Sequence, residues 1–495
     1  MAEGDVSELL NWFRTSGGSL DASVGFTVFP GSGRGAVALT DISEGHVLFT
    51  IPRSLLLSTE TSALPGRIGI ERWRAAQMHT GWVGLILCMM WETSQGPGSS
   101  WSKYLESLPA MFDTPMFWSD LELEELKGTS VVGKLGKADA ERDFTEKLMP
   151  LLQSRPDLFP PETIPAYYTL SIYHVMGSRI LSRSFDVEKD EPEGAEEDGA
   201  AGEDGAEEEG EGPANTSLES AMDVDGEAAS AHGGDYESDD DEDEPSGVSM
   251  VPLADMLNAQ YGSENAKLFY EKGDLRMVST KAIKAGEQIW NTYGDLPNAE
   301  LLRRYGHVDL LPLPTGALGN PGDVVEIPAD LAVPPDADSD ATKARIDWWL
   351  EQGGDDVVVL ESDLEIPPAL AALIRLLRLS PAEWEKAVAK DKVPKPALDA
   401  EVLGVVRAVL QRRREAYPTS LAEDLVRLAD ADGLPLNARH ALIVRVGEKR
   451  ILEGALERVV GLLAAAGDGD GKRKRKGRGE DDAGRAGTTK TRRRG

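Results

Sequence analysis

Short runs of alternating apolar and polar residues open the chain, and helical spacing takes over towards its end. Phe26-Thr27-Val28-Phe29, Ala36-Val37-Ala38-Leu39 and Val47-Leu48-Phe49-Thr50-Ile51 read as strands, separated by glycine-rich turns and the 41–45 loop. From Glu71 to Glu92, and again from Pro165 to Leu181, apolar residues recur at the spacing of a helix. Leu268-Phe269-Tyr270 and Arg276-Met277-Val278-Ser279 predict a hairpin around Lys272-Gly273-Asp274, and Glu287 to Tyr293 a further strand. Beyond Pro314 the pattern is helical throughout. Ala341–Gln352, Pro367–Leu379, Pro381–Ala389, Pro396–Tyr417, Leu421–Asp432 and Asn437–Ala466 are the helix candidates, several with proline in or near the first turn.

Between the apolar stretches Ile172–Phe185 and Met250–Leu257 lies a segment of Glu, Asp, Gly, Ala and Ser. It cannot bury enough surface to offset chain entropy and is expected to be disordered. Because patterned sequence flanks it on both sides, it reads as an insertion within one domain. It also explains most of the formal net charge of −34, since residues 186–244 hold 26 acids against one lysine, Lys189. Residues 471–495 are the reverse, with 11 Lys or Arg against 3 acids, including the clusters 472–476 and 492–494. Such clusters suit a nuclear-import receptor, or are simply a solvated tail. The remainder of the chain is only moderately acidic.

Composition narrows the classes further. A single cysteine, Cys88, excludes an internal disulfide or a cysteine-rich zinc site and favours a reducing compartment. His46, His79, His174 and His307 show no metal-ligand spacing, so no metal is expected. Met1 to Phe13 lack the features of a signal peptide. The longest apolar stretch, Trp82 to Trp91, falls short of the roughly 20 residues a membrane span needs. The expectation is a soluble protein inside the cell, with no membrane partner.

Three stretches carry chemistry. Ser32-Gly33-Arg34-Gly35-Ala36-Val37-Ala38 places two glycines one residue apart, where backbone can approach a ligand without a Cβ in the way. No helix follows it and a third glycine is missing, so it is not a dinucleotide fingerprint. Val251-Pro252-Leu253-Ala254-Asp255-Met256-Leu257-Asn258 taken alone could be a helix terminus bonding its own backbone. The third is Ile283-Lys284-Ala285-Gly286-Glu287-Gln288-Ile289-Trp290-Asn291-Thr292-Tyr293-Gly294, followed by Asn298 and Tyr305-Gly306.

In this order the three together resemble the SET family of protein methyltransferases. Ser182-Arg183-Ser184-Phe185, Ser107-Leu108-Pro109, Asn298-Ala299-Glu300 and Gly447-Glu448-Lys449-Arg450-Ile451-Leu452 are similar to the branch that includes the Rubisco large-subunit methyltransferase. The resemblance covers nearly everything except the acidic insertion and the basic tail. It implies an α+β fold: a β-rich split SET domain of short sheets whose active site forms where the chain threads through itself. A helical insert interrupts that domain, and an all-α C-terminal substrate-binding domain follows. The corresponding boundaries are 1–60 and 248–314 for the two SET parts, 61–186 for the helical insert and 187–247 for the disordered acidic insertion. Residues 324–466 would form the substrate-binding domain and 467–495 a disordered basic tail.

The resemblance also implies the co-substrate S-adenosylmethionine (AdoMet) and a role for each site residue. Tyr293 occupies the catalytic position. Ser32, Gly33 and Arg34 would line the methionine moiety, Arg183 would pair with its carboxylate, Asn258 and Ala259 would meet the nucleoside, and Tyr305 would pack near the cofactor. Trp82, Asp255 and Tyr270 match substrate-side positions. Many members carry Asn-His where this chain has Asn258-Ala259; the imidazole is lost, but an alanine backbone still offers N–H and C=O to an adenine edge.

The implied activity is methylation of a protein lysine. Within the branch, the likeness to fungal ribosomal enzymes points to a large-subunit ribosomal protein as the basic substrate. A nuclear animal relative points instead to a transcription factor or histone-associated protein. A non-catalytic SET scaffold that captures basic proteins is the remaining alternative. The expected location is the nucleus, with the cytoplasm as a second site; direct nucleic-acid binding is not expected. The acidic insertion would either draw in a basic substrate or serve as a solubilising spacer.

Overall fold

The computed structural model describes residues 6–30, 32–187, 247–334, 339–430 and 433–481. The predicted disorder of 187–247 and the cluster 492–494 fall essentially outside these residues, and for 472–476 only the backbone is described. The chain divides into two compact units: Met1–Trp118, Gly133–Leu296 and Glu300–Asp309 form one, and Ser119–Val132, Pro297–Ala299 and Leu310–Gly495 the other.

The first unit is built from small antiparallel sheets. One has the order Ser19–Leu20, Val47–Pro52, Asp274–Ser279, Ala266–Tyr270, and a second the order Val24–Phe29, Gly33–Ala38, Gln288–Ile289. Alternation explains one face: Phe49 and Ile51 are fully buried on either side of Thr50, as are Met277 and Leu275 opposite them, while Leu48 is buried next to Phe49 where the register slips between Val47 and Phe49. Their core merges with the helices Val83–Ser94 and Leu170–Arg183 through Leu87, Met89, Met90 and Ile180. Strands Ser184–Asp186 and Val248–Met250 pair across the acidic insertion, with Asp186 opposite Val248. The insertion therefore leaves and rejoins the fold at neighbouring residues.

Several predicted elements are cut shorter. The helix expected over Glu71–Glu92 breaks into Ile70–Ala75 and Val83–Ser94, with Gln77 (φ 56°) and Gly81 (φ 57°) in left-handed conformation between them. The Met78 carbonyl packs tightly on Gly84, where an added Cβ would sit 2.0 Å away, so the turn is set by tertiary packing that periodicity does not register. The strand expected over Glu287–Tyr293 is regular only at Gln288–Ile289. The residues after it bond to side chains and to a loop, as described below.

The second unit is helical, with Ser339–Glu351, Pro368–Leu377, Pro381–Ala389, Ala400–Glu415, Leu421–Ala429 and Leu436–Asp481 as its main helices. It is not all-α. Val324–Pro328 and Val357–Glu361 form an antiparallel ribbon that places Val325, Ile327, Val358 and Leu360 in the core. The β-branched run Val357-Val358-Val359 favours a half-buried strand over a helix. The expected loss of structure from residue 467 also fails for 467–481, which continue the last helix. Once a helix is anchored by packed residues such as Leu452, Ala455 and Val459, each further residue adds one hydrogen bond at little cost in nucleation.

Ion pairs buried in this unit are unusually dense. Asp424, Arg445, Glu448 and Lys449 are each at most 2% exposed. Asp424 accepts from Arg445, Lys449 and Thr419, while Glu448 accepts from Tyr417 and Ser130. Glu125 of the Ser119–Val132 segment pairs with Arg427 and Arg445, which is why that segment belongs here although it lies within residues 61–186, expected to form the helical insert of the SET domain.

Candidate active site

The strand Gly33–Ala38 forms the floor of the site. Gly33 has φ +69°, a conformation glycine adopts without strain, and it closes the turn in which Ser32 N–H bonds the Phe29 carbonyl at 3.2 Å. Gly35 is needed for another reason. A Cβ there would lie 2.6 Å from Asn258 Nδ2, 3.1 Å from Gln288 Nε2 and 3.1 Å from the Phe29 ring. Two amide side chains thus converge on the bare face of one glycine.

The segment that carries Asn258 is strained. Leu253, fully buried, has φ +69° and ψ −39°, a costly conformation for a branched residue, and it leads into the single turn Ala254–Met256. That turn points Asp255 inward, where Oδ2 accepts from the Tyr104 hydroxyl at 2.9 Å. The helix Leu170–Arg183, capped by Thr169, delivers Arg183 at its last turn, and Arg183 Nη1 donates to the Asp255 carbonyl at 2.5 Å.

The Tyr293 segment is held by side chains as much as by sheet. Asn265 donates from Nδ2 to the Gln288 carbonyl at 3.0 Å and accepts from Trp290 N–H at 2.8 Å. Asn291 N–H bonds the Asn258 carbonyl at 2.9 Å, and Ala259 bridges Asn291 in parallel. The Tyr293 hydroxyl donates to the Leu257 carbonyl at 3.1 Å, and its ring stacks on Tyr305 at 4.3 Å and 11°. Tyr305 ends the helix Asn298–Tyr305, and Gly306 (φ 77°) closes it with its N–H on the Leu302 carbonyl. A small, open cleft runs along this junction, lined by Ala259, Tyr261, Thr292, Tyr293, Glu264 and Asp295 among others.

Burial sets the electrostatics. It raises the Tyr293 phenol above its ordinary value of 10.0, with Arg183 opposing and Asp255 adding to the effect. It pushes Asp255 up to about 6, against the pull of Arg183 and the Tyr104 hydrogen bond. Several buried polar atoms around this centre have no hydrogen-bond partner: Arg34 Nε, Arg183 Nε, Asp255 Oδ1, Asn258 Nδ2 and Gln288 Nε2. Buried groups are normally satisfied, so a cluster of unsatisfied donors beside a glycine that leaves room for no side chain fits a polar ligand with acceptor groups. No group of three or more His, Cys, Asp or Glu side chains suited to a metal occurs among the described residues.

Of the residues singled out from sequence, Arg183, Asp255, Asn258, Ala259, Tyr293 and Tyr305 are linked through these contacts, while Gly33 and Arg34 lie on the strand that carries Gly35, with exposed Ser32 just before it. Trp82 half-packs on the core at the start of Val83–Ser94, and no hydrogen bond or ring contact among the described residues ties it to the Tyr293 cluster. Tyr270 is 38% exposed at the far end of the strand whose other end, Ala266, bonds Trp290. At about 3.3 Å per residue that is roughly 13 Å away along the strand. Tyr104, Gln288 and Asn265 were not singled out. Gln288 lay within the third motif, but Tyr104 is 151 residues from Asp255 and nothing local marks it.

Residues 33–294 match the SET domain family, and residues 338–452 match the Rubisco LSMT substrate-binding family. The chain belongs to the SET-domain family. Its particular branch is the one that joins a split SET domain to that substrate-binding domain. It is 29% identical to N-lysine methyltransferase setd6 of Salmo salar over 461 residues, 86% of this chain and 89% of that relative. To ribosomal lysine N-methyltransferase 4 of Saccharomyces cerevisiae it is 31% identical over 280 residues, 56% of this chain and 49% of that protein. Its fold is similar to the crystal structure of the SET domain of LSMT bound to lysine and AdoHcy, with a TM-score of 0.63 at 19% identity, covering 92% of this chain and 91% of that one.

Proposed function

We propose that this enzyme methylates a lysine of a basic protein of the large ribosomal subunit. Its chemistry is that of an AdoMet-dependent protein-lysine N-methyltransferase, and the observation that carries this is the convergence of Tyr293 with the unsatisfied donors around Gly35. AdoMet supplies a sulfonium-bound methyl group, which passes to the lysine nitrogen as the carbon–sulfur bond breaks. Arg183 and Arg34 would hold its carboxylate, a group suited to guanidinium, while Asn258 and Gln288 offer amide donors to its remaining acceptors. The incoming lysine must first lose a proton, and burial lowers an ammonium pKa by penalising its charged form. Tyr293, whose own pKa is raised, is a neutral phenol at pH 7 and serves to position the amine rather than to stand as its base. Its bond to the Leu257 carbonyl fixes the hydroxyl, so orientation is established before substrate arrives.

The cradle at Gly35 makes a direct prediction. Gly35→Ala drives a methyl into Asn258 and Phe29, and overpacking of this kind costs about 1–3 kcal/mol. AdoMet affinity measured by calorimetry should fall about tenfold or more. Undiminished affinity would remove Gly35 from the cofactor site.

The ribosomal substrate draws on the name of the yeast relative and on Glu264 and Asp295, which line the cleft beside Tyr293 and suit a basic partner. A second reading, a non-ribosomal nuclear protein, draws on the SETD6-named relatives, which align with 86% of this chain in Salmo salar and 92% in Mus musculus. We further propose nuclear entry through an import receptor that takes 472–476 and 492–494. Incubation with methyl-labelled AdoMet and either ribosomal subunits or nuclear extract separates the substrates. A single labelled large-subunit protein is expected; label confined to nuclear proteins overturns the ribosomal assignment in favour of the second reading.

A further inference from the structure

We propose that Tyr104 is a positioning residue for methyl transfer, holding the Asp255 carboxylate in one orientation with its second oxygen turned to the site. Asp255 is 7% exposed, and its two oxygens are treated differently: Oδ2 accepts from Tyr104, while Oδ1 is buried without a partner. Tyr104 supplies the side-chain hydrogen bond to this carboxylate, alongside the charge of Arg183 and the backbone N–H groups of Leu253 and Asp255. Tyr104 can hold the carboxylate because it is itself immobile, 1% exposed and stacked on Trp12 at 6.2 Å and 13°.

The bond reaches further than one side chain. Asp255 sits in the turn that follows strained Leu253, and its backbone carbonyl takes Arg183 Nη1. Two residues on, the Leu257 carbonyl takes the Tyr293 hydroxyl. One phenol on the helix Ser102–Ser107 thus anchors a turn that orients both the arginine for the co-substrate and the tyrosine for the amine. The charged and titratable groups that face Asp255 are Tyr104 from that helix, Arg183 from the helix Leu170–Arg183 and Tyr293 from the opposite segment; Arg179, on the same helix as Arg183, faces Tyr104.

The sign of the pH effect follows. Burial raises Asp255 and the Tyr104 bond lowers it, so removing the hydroxyl makes the carboxylate easier to protonate. Activity that depends on ionised Asp255 is lost as pH falls through its pKa. In full-length Tyr104→Phe, the acidic limb of kcat/KM against pH is expected to move up by about one unit. The rate at neutral pH should drop about tenfold, a modest misplacement penalty, with thermal unfolding still cooperative. A limb unmoved, or a rate loss equal at all pH values, overturns the proposal. Asp255→Asn keeps the shape and an acceptor for Tyr104 but cannot ionise, and covers the case in which Tyr104→Phe does not fold. Its acidic limb should vanish; retention of the wild-type limb overturns the proposal equally.

Discussion

Tyr293→Phe is expected to lower methyl transfer by about 10²–10³ while AdoMet still binds, the cost of removing one preorganised donor at a reacting centre. Phenylalanine keeps the stack on Tyr305, so the ring stays where the packing puts it. Only the hydroxyl is lost, together with its bond to the Leu257 carbonyl. Rate and affinity therefore separate: label transfer to protein should collapse, while calorimetric titration with AdoMet changes little. Equal transfer by both forms would mean that the phenol does not touch the reaction, and the scaffold would then be a capture module for basic proteins. The raised phenol pKa adds a second expectation, that tyrosine ionisation does not appear as a limb near neutral pH.

Asp424→Ala is expected to destabilise the second unit by about 3–5 kcal/mol, because it removes the carboxylate that buried Arg445 and Lys449 share, leaving Arg445 with Glu125 and Lys449 with only the neutral oxygens of Thr419. Chemical denaturation followed by far-UV circular dichroism should show the loss as a lower midpoint. The effect has a pH signature. Burial alone would raise Asp424, but hydrogen bonds from Lys449 and Thr419 and the charge of Arg445 bring it below its ordinary value of 3.8. Its contribution is therefore complete above pH 3.8 and fades as pH falls through the lower folded value. Wild type and variant should converge in acid. A midpoint shift that persisted unchanged at low pH would show that the variant acts through lost packing and not through the charge.

Much of the architecture was legible in local pattern because local pattern reports burial. Phe49 and Ile51 flank a partly exposed Thr50 as a strand facing a core must, and the helices with proline in the first turn lie close to their expected positions. The limits lie where tertiary contacts compete with periodicity. Met78 against Gly84 breaks a helix that spacing would continue. Asn265 takes over the Trp290 backbone and shortens a strand. Val357-Val358-Val359 pairs with Val324–Pro328 inside a unit whose other segments are helical.

The site divides in the same way. Gly33, Asn258, Tyr293 and Tyr305 could be picked out because each sits in a motif whose order along the chain matches a known family. Their chemistry could not be read there. That Tyr293 donates to Leu257, that Asn258 and Gln288 crowd Gly35, and that Tyr104 fixes Asp255 from 151 residues away are facts of proximity.

The linear chain by itself determined the kind of protein, its residue types for binding and transfer, and the segments that could bury apolar surface. Folding alone decided which of those residues share a desolvated space. The reason is physical: hydrogen bonding and charge act over a few ångströms, and only the folded chain brings distant residues that close.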